Sequence, residues 1–336
     1  CSSDLDRLTK KFGTGKVTAF SVLMTAAALW GFSVSHSYIA LCLWAIPYGL
    51  GAGSVDASLN NYVALHYASR HMSWLHCMWG IGASLGPYIM GYALSGSGSW
   101  NMGYLYVAVL QIILTAILLF SLPLWKGRIS ADAAADTEKQ EPLSLKKIIR
   151  IPGAKAVMVT FFCYCATEQT TGLWASSYLM LNRGLSEDAA ASFASLFFVG
   201  ITIGRALGGF LTLKLNDAQM IRLGQVLVAV GALSLLIPFG VSGAMIGLIL
   251  IGLGCAPIYP SIIHSTPERF GADKSQAIIG VQMASAYVGT CLMPPVFGVI
   301  ANHINVSLLP IYLLVILMMM VFMHEKLLKV TSKRHI

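Results

Sequence analysis

Ten apolar stretches separated by short polar joints run the length of this chain: residues 17–34, 38–62, 73–94, 102–124, 156–181, 189–211, 220–240, 244–263, 277–301 and 306–323. Each has about the 17–25 residues that an α-helix needs to cross a bilayer. Backbone amides in hydrocarbon find no water, so such segments satisfy their hydrogen bonds internally as helices. The pattern predicts an all-α, multi-pass integral membrane protein. Composition agrees: charged residues make up 11% of the chain, against about 25% in soluble domains.

The formal net charge of +8 does not indicate nucleic acid, because the basic residues lie in joints between apolar spans. Counted by joint, 21 of the 22 Lys and Arg fall on the side that holds the first residues; only Arg183 falls on the other. Basic loops stay in the cytoplasm, so both ends of this chain are expected there. The opposite loops are short and neutral, as at 95–99 and 239–243. A plasma-membrane protein, working as a monomer in the bilayer, is the expectation.

The longest polar stretch, 126–155, divides four spans from six. It predicts an N-terminal half at 1–125, a cytoplasmic linker at 126–155 and a C-terminal half at 156–336. Gly-Pro features at Gly86-Pro87 and at Gly289 with Pro294-Pro295 give the halves a weak internal similarity. Parallel repeats of this kind occur in transporters, with the site between them. The first half would then lack two spans, either as a fragment or as a truncated form, since the chain begins at Cys1 inside a loop.

Of the 14 acidic residues, 12 lie in loops or termini; Asp56 and Glu168 alone fall deep in apolar spans, one in each half. A charged side chain at that depth costs about 2.5–3.5 kcal/mol on insertion scales and marks an ion or substrate path. Both are candidates for proton coupling, and His76, with an ordinary pKa near 6.5, is a third. A structural acid tied to a partner helix, or a packing histidine, is the alternative for each. Asn60 lies four residues after Asp56, on the same helical face. Asn60, Asn61, Gln169, Tyr178 and Gln282 offer donors and acceptors at membrane depth, and Trp79 or Trp174 offers an aromatic plate. These seven are the candidate substrate contacts, with helix packing as the alternative. Arg205 lies at a cytoplasmic mouth, either bonding a helix end or an acid to lock one state or snorkelling.

Gly80, Gly82, Gly86, Gly208 and Gly209 permit close helix approach. Pro257, Pro260, Pro294 and Pro295 permit bending. The seven cysteines lack metal or redox spacing and are expected as small packing residues. No phosphate-binding loop, metal-ligand set or nucleophile–base pair is present, so neither a cofactor nor enzymatic chemistry is expected.

Several motifs carry a family resemblance. Asp6-Arg7 with Lys10, Lys11, Gly13 and Lys16 resembles, in stretched form, the joint between helices 2 and 3 of the major facilitator superfamily. Three sets resemble its fucose–galactose–glucose:proton symporter branch: Gly51-x-Gly53-x-x-Asp56-x-x-x-Asn60; Leu75-His76-x-x-Trp79-Gly80-x-Gly82-Ala83-x-x-Gly86-Pro87; and Glu168-x-x-x-Gly172-x-Trp174-x-x-x-Tyr178-Leu179. The resemblance registers the ten spans as helices 3 to 12, the first two being absent. It implies a bundle of two pseudo-symmetric halves and secondary active transport of a small, sugar-like solute by alternating access. It also implies proton coupling, for which Asp and Asn oxygens leave sodium open. Asp6, Arg7, Gly86, Pro87 and Arg205 would be conformational parts. Rival readings are a metabolite or drug exporter, a transporter-like receptor and a nonfunctional truncated product. The polar faces around Asp56 and Glu168 are expected to share one watery cavity.

Overall fold

The first long helix starts where a glycine allows it to. Gly13 has φ +80°, a backbone region open to glycine at little cost, and helix α1 (Thr14–Ser33) follows at once. In the computed structural model, which describes residues 8–9, 12–97, 99–132, 144–237 and 240–332, the helices continue as α2 (Tyr38–His66), α3 (Ser69–Ser97), α4 (Trp100–Asp132) and a short α5 (Leu145–Arg150). Then come α6 (Ala154–Arg183), α7 (Glu187–Leu211), α8 (Asp217–Leu236), α9 (Gly240–His264) and the short α10 (Thr266–Phe270). The series ends with α11 (Ala272–His303), a 3-10 turn at Val306–Leu308 and α12 (Leu309–Ser332). No strand occurs among the described residues.

The ten long helices correspond to the ten apolar stretches. Among the described residues, eight are long and apolar enough to cross a membrane; α3 and α6 are the two outside that set. Polar residues explain the shortfall. Helix α3 opens with Arg70, His71, Ser73 and His76, and the middle of α6 carries Thr167, Glu168, Gln169, Thr170 and Thr171. These two helices supply most of the candidate site residues. Pro257 and Pro260 in α9, and Pro294 and Pro295 in α11, lie inside continuous helices.

Packing divides the chain into two units: Cys1–Tyr62 with Ile81–Ser144, and Val63–Gly80 with Leu145–Ile336. The segment 63–80 therefore packs with the later helices.

In the first unit α1 packs most extensively on α4. A methyl group at Gly31 would overlap the ring of Trp44, and one at Gly51 would lie 2.7 Å from the Ser21 carbonyl oxygen. Gly51 thus lets α2 approach the backbone of α1, and Gly31 makes room for the Trp44 ring. The end of α1 leaves carbonyls without helical partners. Asn101 at the start of α4 answers them: its amide donates to the carbonyls of Ser33 (3.0 Å) and Ser35 (2.9 Å).

In the second unit α6 is central, packing against α7, α9, α11 and α12. Helices α8 and α9 meet through facing glycines. A methyl group at Gly254 would lie 2.6 Å from the Gly224 carbonyl oxygen, and one at Gly231 would lie 2.6 Å from that of Gly247. Within lipid, where burial of apolar surface gives helices no reason to associate, such backbone approach supplies the packing that does. Helix α8 begins with a capping box: Asn216 Oδ1 accepts from the Gln219 amide at 2.9 Å, and Gln219 Oε1 accepts from the Asn216 amide at 3.0 Å. Two amides left over at the helix start are satisfied in this way. The outward faces stay apolar, with Phe120, Leu124 and Phe210 exposed, as suits side chains that meet hydrocarbon.

Candidate functional site

Within the second unit, polar and aromatic groups from four chain segments converge on Arg205. Helix α6 contributes Phe161, Tyr164 and Glu168, spaced i, i+3 and i+7, which places them on one face. Helix α7 contributes Arg205, α9 contributes Tyr259, and segment 63–80 contributes His76 and Trp79, one turn apart.

Glu168 accepts a hydrogen bond from the Tyr164 hydroxyl one turn earlier on α6. Arg205 Nη2 donates to the Tyr164 oxygen at 3.3 Å and lies 3.7 Å from Glu168 Oε1. That gap makes the carboxylate–guanidinium contact an ion pair rather than a hydrogen bond, with the phenol bridging. Side-chain exposure is 3% for Arg205 and 15% for Glu168, so water screens the pair weakly. The other edge of the guanidinium faces segment 63–80. There Nη1 donates to the His76 carbonyl at 3.3 Å, and the guanidinium carbon sits 4.7 Å from the Trp79 ring centroid, within cation–π range. The buried His76 ring meets Tyr259 edge-on at 4.3 Å, and its Nε2 has no partner among the described residues. Tyr259 packs in turn on Phe161, at 4.7 Å between centroids.

The arrangement holds a carboxylate against one fixed cation, with a phenol and an imidazole at hand. The charge of the carboxylate is thereby set against that of a buried guanidinium, and the electrostatic balance of Arg205 depends on it.

A second polar contact joins segment 63–80 to the same unit. Asp217, at the start of α8, accepts from Ser69 Oγ at 2.7 Å and pairs with His264 Nδ1 at 2.6 Å. His264 Nε2 lies 3.1 Å from the Tyr67 carbonyl oxygen.

In the first unit Asn60 Nδ2 donates to Asp56 Oδ1 at 2.8 Å, the i, i+4 contact that the spacing predicts. Asn60 and Asn61 are buried, at 2% and 7% exposure, and Asn60 Oδ1 has no partner among the described residues. The remaining candidates bond mainly to neighbouring backbone. Tyr178 donates to the Leu235 carbonyl at 2.8 Å, which Arg183 also reaches at 2.7 Å, so both close the end of α8. Trp174 Nε1 donates to the Pro294 carbonyl at 3.1 Å, and its ring lies 5.3 Å from that of Phe297. Gln282, wholly buried, donates to Thr266 Oγ1 at 3.0 Å. Gln169 is half-buried on α6, and a methyl group at Gly86 in α3 would meet open space. Pro87 lies within α3, and Asp6 and Arg7 lie outside the described residues.

Tyr164 and Tyr259 complete the site without having been singled out in the sequence. The spacing of Tyr164, four residues before Glu168, was a legible signal; nothing local marks Tyr259, which comes from a helix about 90 residues further on.

The family model described as Major Facilitator Superfamily matches residues 5–186 and again residues 157–335. A Saccharomyces cerevisiae protein, bypass of stop codon protein 6, is 22% identical over 344 residues, covering 91% of this chain and 68% of its own length. A di-/tripeptide transporter of Lactococcus lactis is 24% identical over 159 residues, covering 46% of this chain and 30% of its own length. Among solved structures, the E. coli fucose:proton symporter superposes with a TM-score of 0.72 at 16% identity, covering 96% of this chain and 87% of that one.

Proposed function

The chain belongs to the Major Facilitator Superfamily of membrane transporters, and we propose that it moves a small, sugar-like solute together with protons, Glu168 carrying the proton. The observation that carries this reading is the ion pair of Glu168 with the buried Arg205. A carboxylate at membrane depth is costly to keep. Here it stands opposite a cation whose own bonds run to a different chain segment, so a proton on Glu168 has a mechanical consequence. Asp56 with Asn60 is the corresponding carboxylate of the first unit, and His76 is a further titratable group beside Arg205.

The sugar class is supported by the motifs around Asp56, His76 and Glu168 and by the fold likeness to a fucose:proton symporter. The lactococcal relative, named as a di-/tripeptide transporter, keeps peptides as the second substrate class. The reading includes a plasma-membrane location with the basic face in the cytoplasm, and action as a monomer.

The test is uptake by purified protein in proteoliposomes, with an imposed inward proton gradient and parallel panels of monosaccharides and di-/tripeptides. Accumulation of a monosaccharide above its equilibrium level, collapsed by a protonophore, supports the reading. Accumulation of peptides alone replaces the substrate class. Accumulation that ignores the proton gradient rejects the coupling.

A further inference from the structure

Helix α5 has six residues and two unlike sides. At 3.6 residues per turn, Leu145, Ile148 and Ile149 fall on one side, and Lys146, Lys147 and Arg150 fall on the other. Ile148 is wholly buried, while the three basic residues are exposed. Burial of Ile148 in the second unit fixes the rotation of the helix and holds the basic side outward. The chain then turns at Gly153, with φ +91°, where an added methyl would lie 3.2–3.3 Å from Leu327, Phe270 and Thr331. That contact seats the joint of α5 and α6 on α10 and the last turns of α12. Lys155 is exposed in the first turn of α6, and Lys326 and Lys329 are exposed on either side of Leu327.

The cations of this stretch lack the partners that others in the second unit have. Both oxygens of Glu325 hold Arg222, at 2.7 and 2.8 Å, and Lys274 lies 2.7 Å from Asp273. Residues 142–167 contain no Asp or Glu. Among the described residues, no carboxylate pairs with Lys146, Lys147, Arg150 or Lys155. Membrane topology asks for basic residues near the ends of spans. It does not ask for them on one side of a helix whose other side is packed.

Leu145 selects among the anions that could answer this charge. It lies on the apolar side of α5, yet it is 55% exposed. A free phosphate or a soluble polyanion would cover the cations and leave Leu145 in water. A phospholipid offers a phosphate to the cations and an acyl chain to the leucine. Amphipathic helices with a basic polar side lie in the bilayer interface in this way. Basic clusters just outside a membrane span attract anionic headgroups, and α6 begins at Ala154, four residues after Arg150.

We propose that α5, with Lys155, is a docking site for an anionic phospholipid, its headgroup on Lys146, Lys147 and Arg150 and its acyl chains against Leu145. The lipid would tie the start of α6 to the bilayer surface. The proposal is independent of the transported solute and of the proton carrier.

The test uses the full chain, purified and delipidated in neutral detergent, with native mass spectrometry counting bound lipid. The probes are palmitoyl-oleoyl phosphatidylglycerol and the zwitterionic phosphatidylcholine with the same chains. The first phosphatidylglycerol should bind at least about tenfold more tightly than phosphatidylcholine, since each nearby cation adds to the attraction. Lys146→Gln/Lys147→Gln/Arg150→Gln should cut that preference at least about fivefold. Lys146→Arg/Lys147→Arg keeps the charge and should keep the preference. Lys274→Gln should keep it as well, because that cation already has a carboxylate. Leu145→Asn should weaken phosphatidylglycerol binding, and excess glycerol 3-phosphate should not displace the lipid. Equal binding of the two lipids by wild type, or an unchanged preference in the triple variant, overturns the proposal. Displacement by glycerol 3-phosphate with no effect of Leu145→Asn assigns the basic side to a free phosphate and overturns it too. If the triple variant does not fold, Lys146→Gln/Lys147→Gln decides it, a lowered preference supporting the site and an unchanged one refuting it.

Discussion

Removing the charge of Glu168 should cost far more stability than removing Arg205 and Glu168 together. Glutamine at 168 keeps an acceptor for the Tyr164 hydroxyl, so the perturbation is close to a pure loss of charge. At 3.7 Å and an effective dielectric near 20, the lost attraction is about 4 kcal/mol. Breaking one partner of a buried pair costs about 3–5 kcal/mol by measurement. The carboxylate keeps 15% exposure, so the lower end applies, about 3 kcal/mol. Arg205→Met in the same background removes the stranded cation and fills its space with an apolar chain. Replacement of buried pairs in this way is often neutral, so Glu168→Gln/Arg205→Met should return to within about 1 kcal/mol of wild type. The coupling energy of the cycle is then about 2 kcal/mol or more, within the range seen for residues in contact. Unfolding by titration with SDS in mixed micelles measures all four proteins. A Glu168→Gln variant as stable as wild type, or a double variant as unstable as the sum of the singles, would refute the view of Arg205 as a buried cation held by Glu168.

Three further outcomes are expected. Asp56→Asn should abolish gradient-driven accumulation while solute counterflow persists, because its amide keeps polar contact with Asn60 but carries no proton; full accumulation removes Asp56 from coupling. Tyr178→Phe should destabilise by about 1 kcal/mol, the net worth of one hydrogen bond, since Arg183 still reaches the Leu235 carbonyl. Its KM should not change; a rise of tenfold would instead place Tyr178 against the solute. Cysteines introduced at Ser95 and Ser144 should label from opposite sides of the membrane, Ser144 from the cytoplasm, and labelling from one side breaks the topology.

How much of this was legible follows from what a helical sequence carries. Apolar length predicts the ten long helices, and the isolation of Asp56 and Glu168 among apolar residues singles out the two carboxylates. The contact of Asp56 with Asn60 is local and follows from an i, i+4 spacing. Depth in the bilayer is readable in this way; rotation about a helix axis is not. Trp174, Tyr178 and Gln282 lie within long helices, yet their donors reach Pro294, Leu235 and Thr266, residues that only tertiary packing brings near. The same limit hid the second edge of Arg205. Its partners His76 and Trp79 lie about 130 residues earlier, and the grouping of segment 63–80 with the later helices has no local signature. The polar dilution of α3 and α6, which weakens them as membrane spans, is in retrospect the clearest pointer to where the site residues cluster.

The coupling claim is tested most directly by proton flux. Proteoliposomes loaded with a pH-sensitive dye are given a gradient of the transported solute and no initial pH difference. Wild-type protein should acidify the lumen as solute enters. Glu168→Gln should leave lumenal pH unchanged while solute counterflow continues. Lumenal acidification by Glu168→Gln at the wild-type rate would contradict the account.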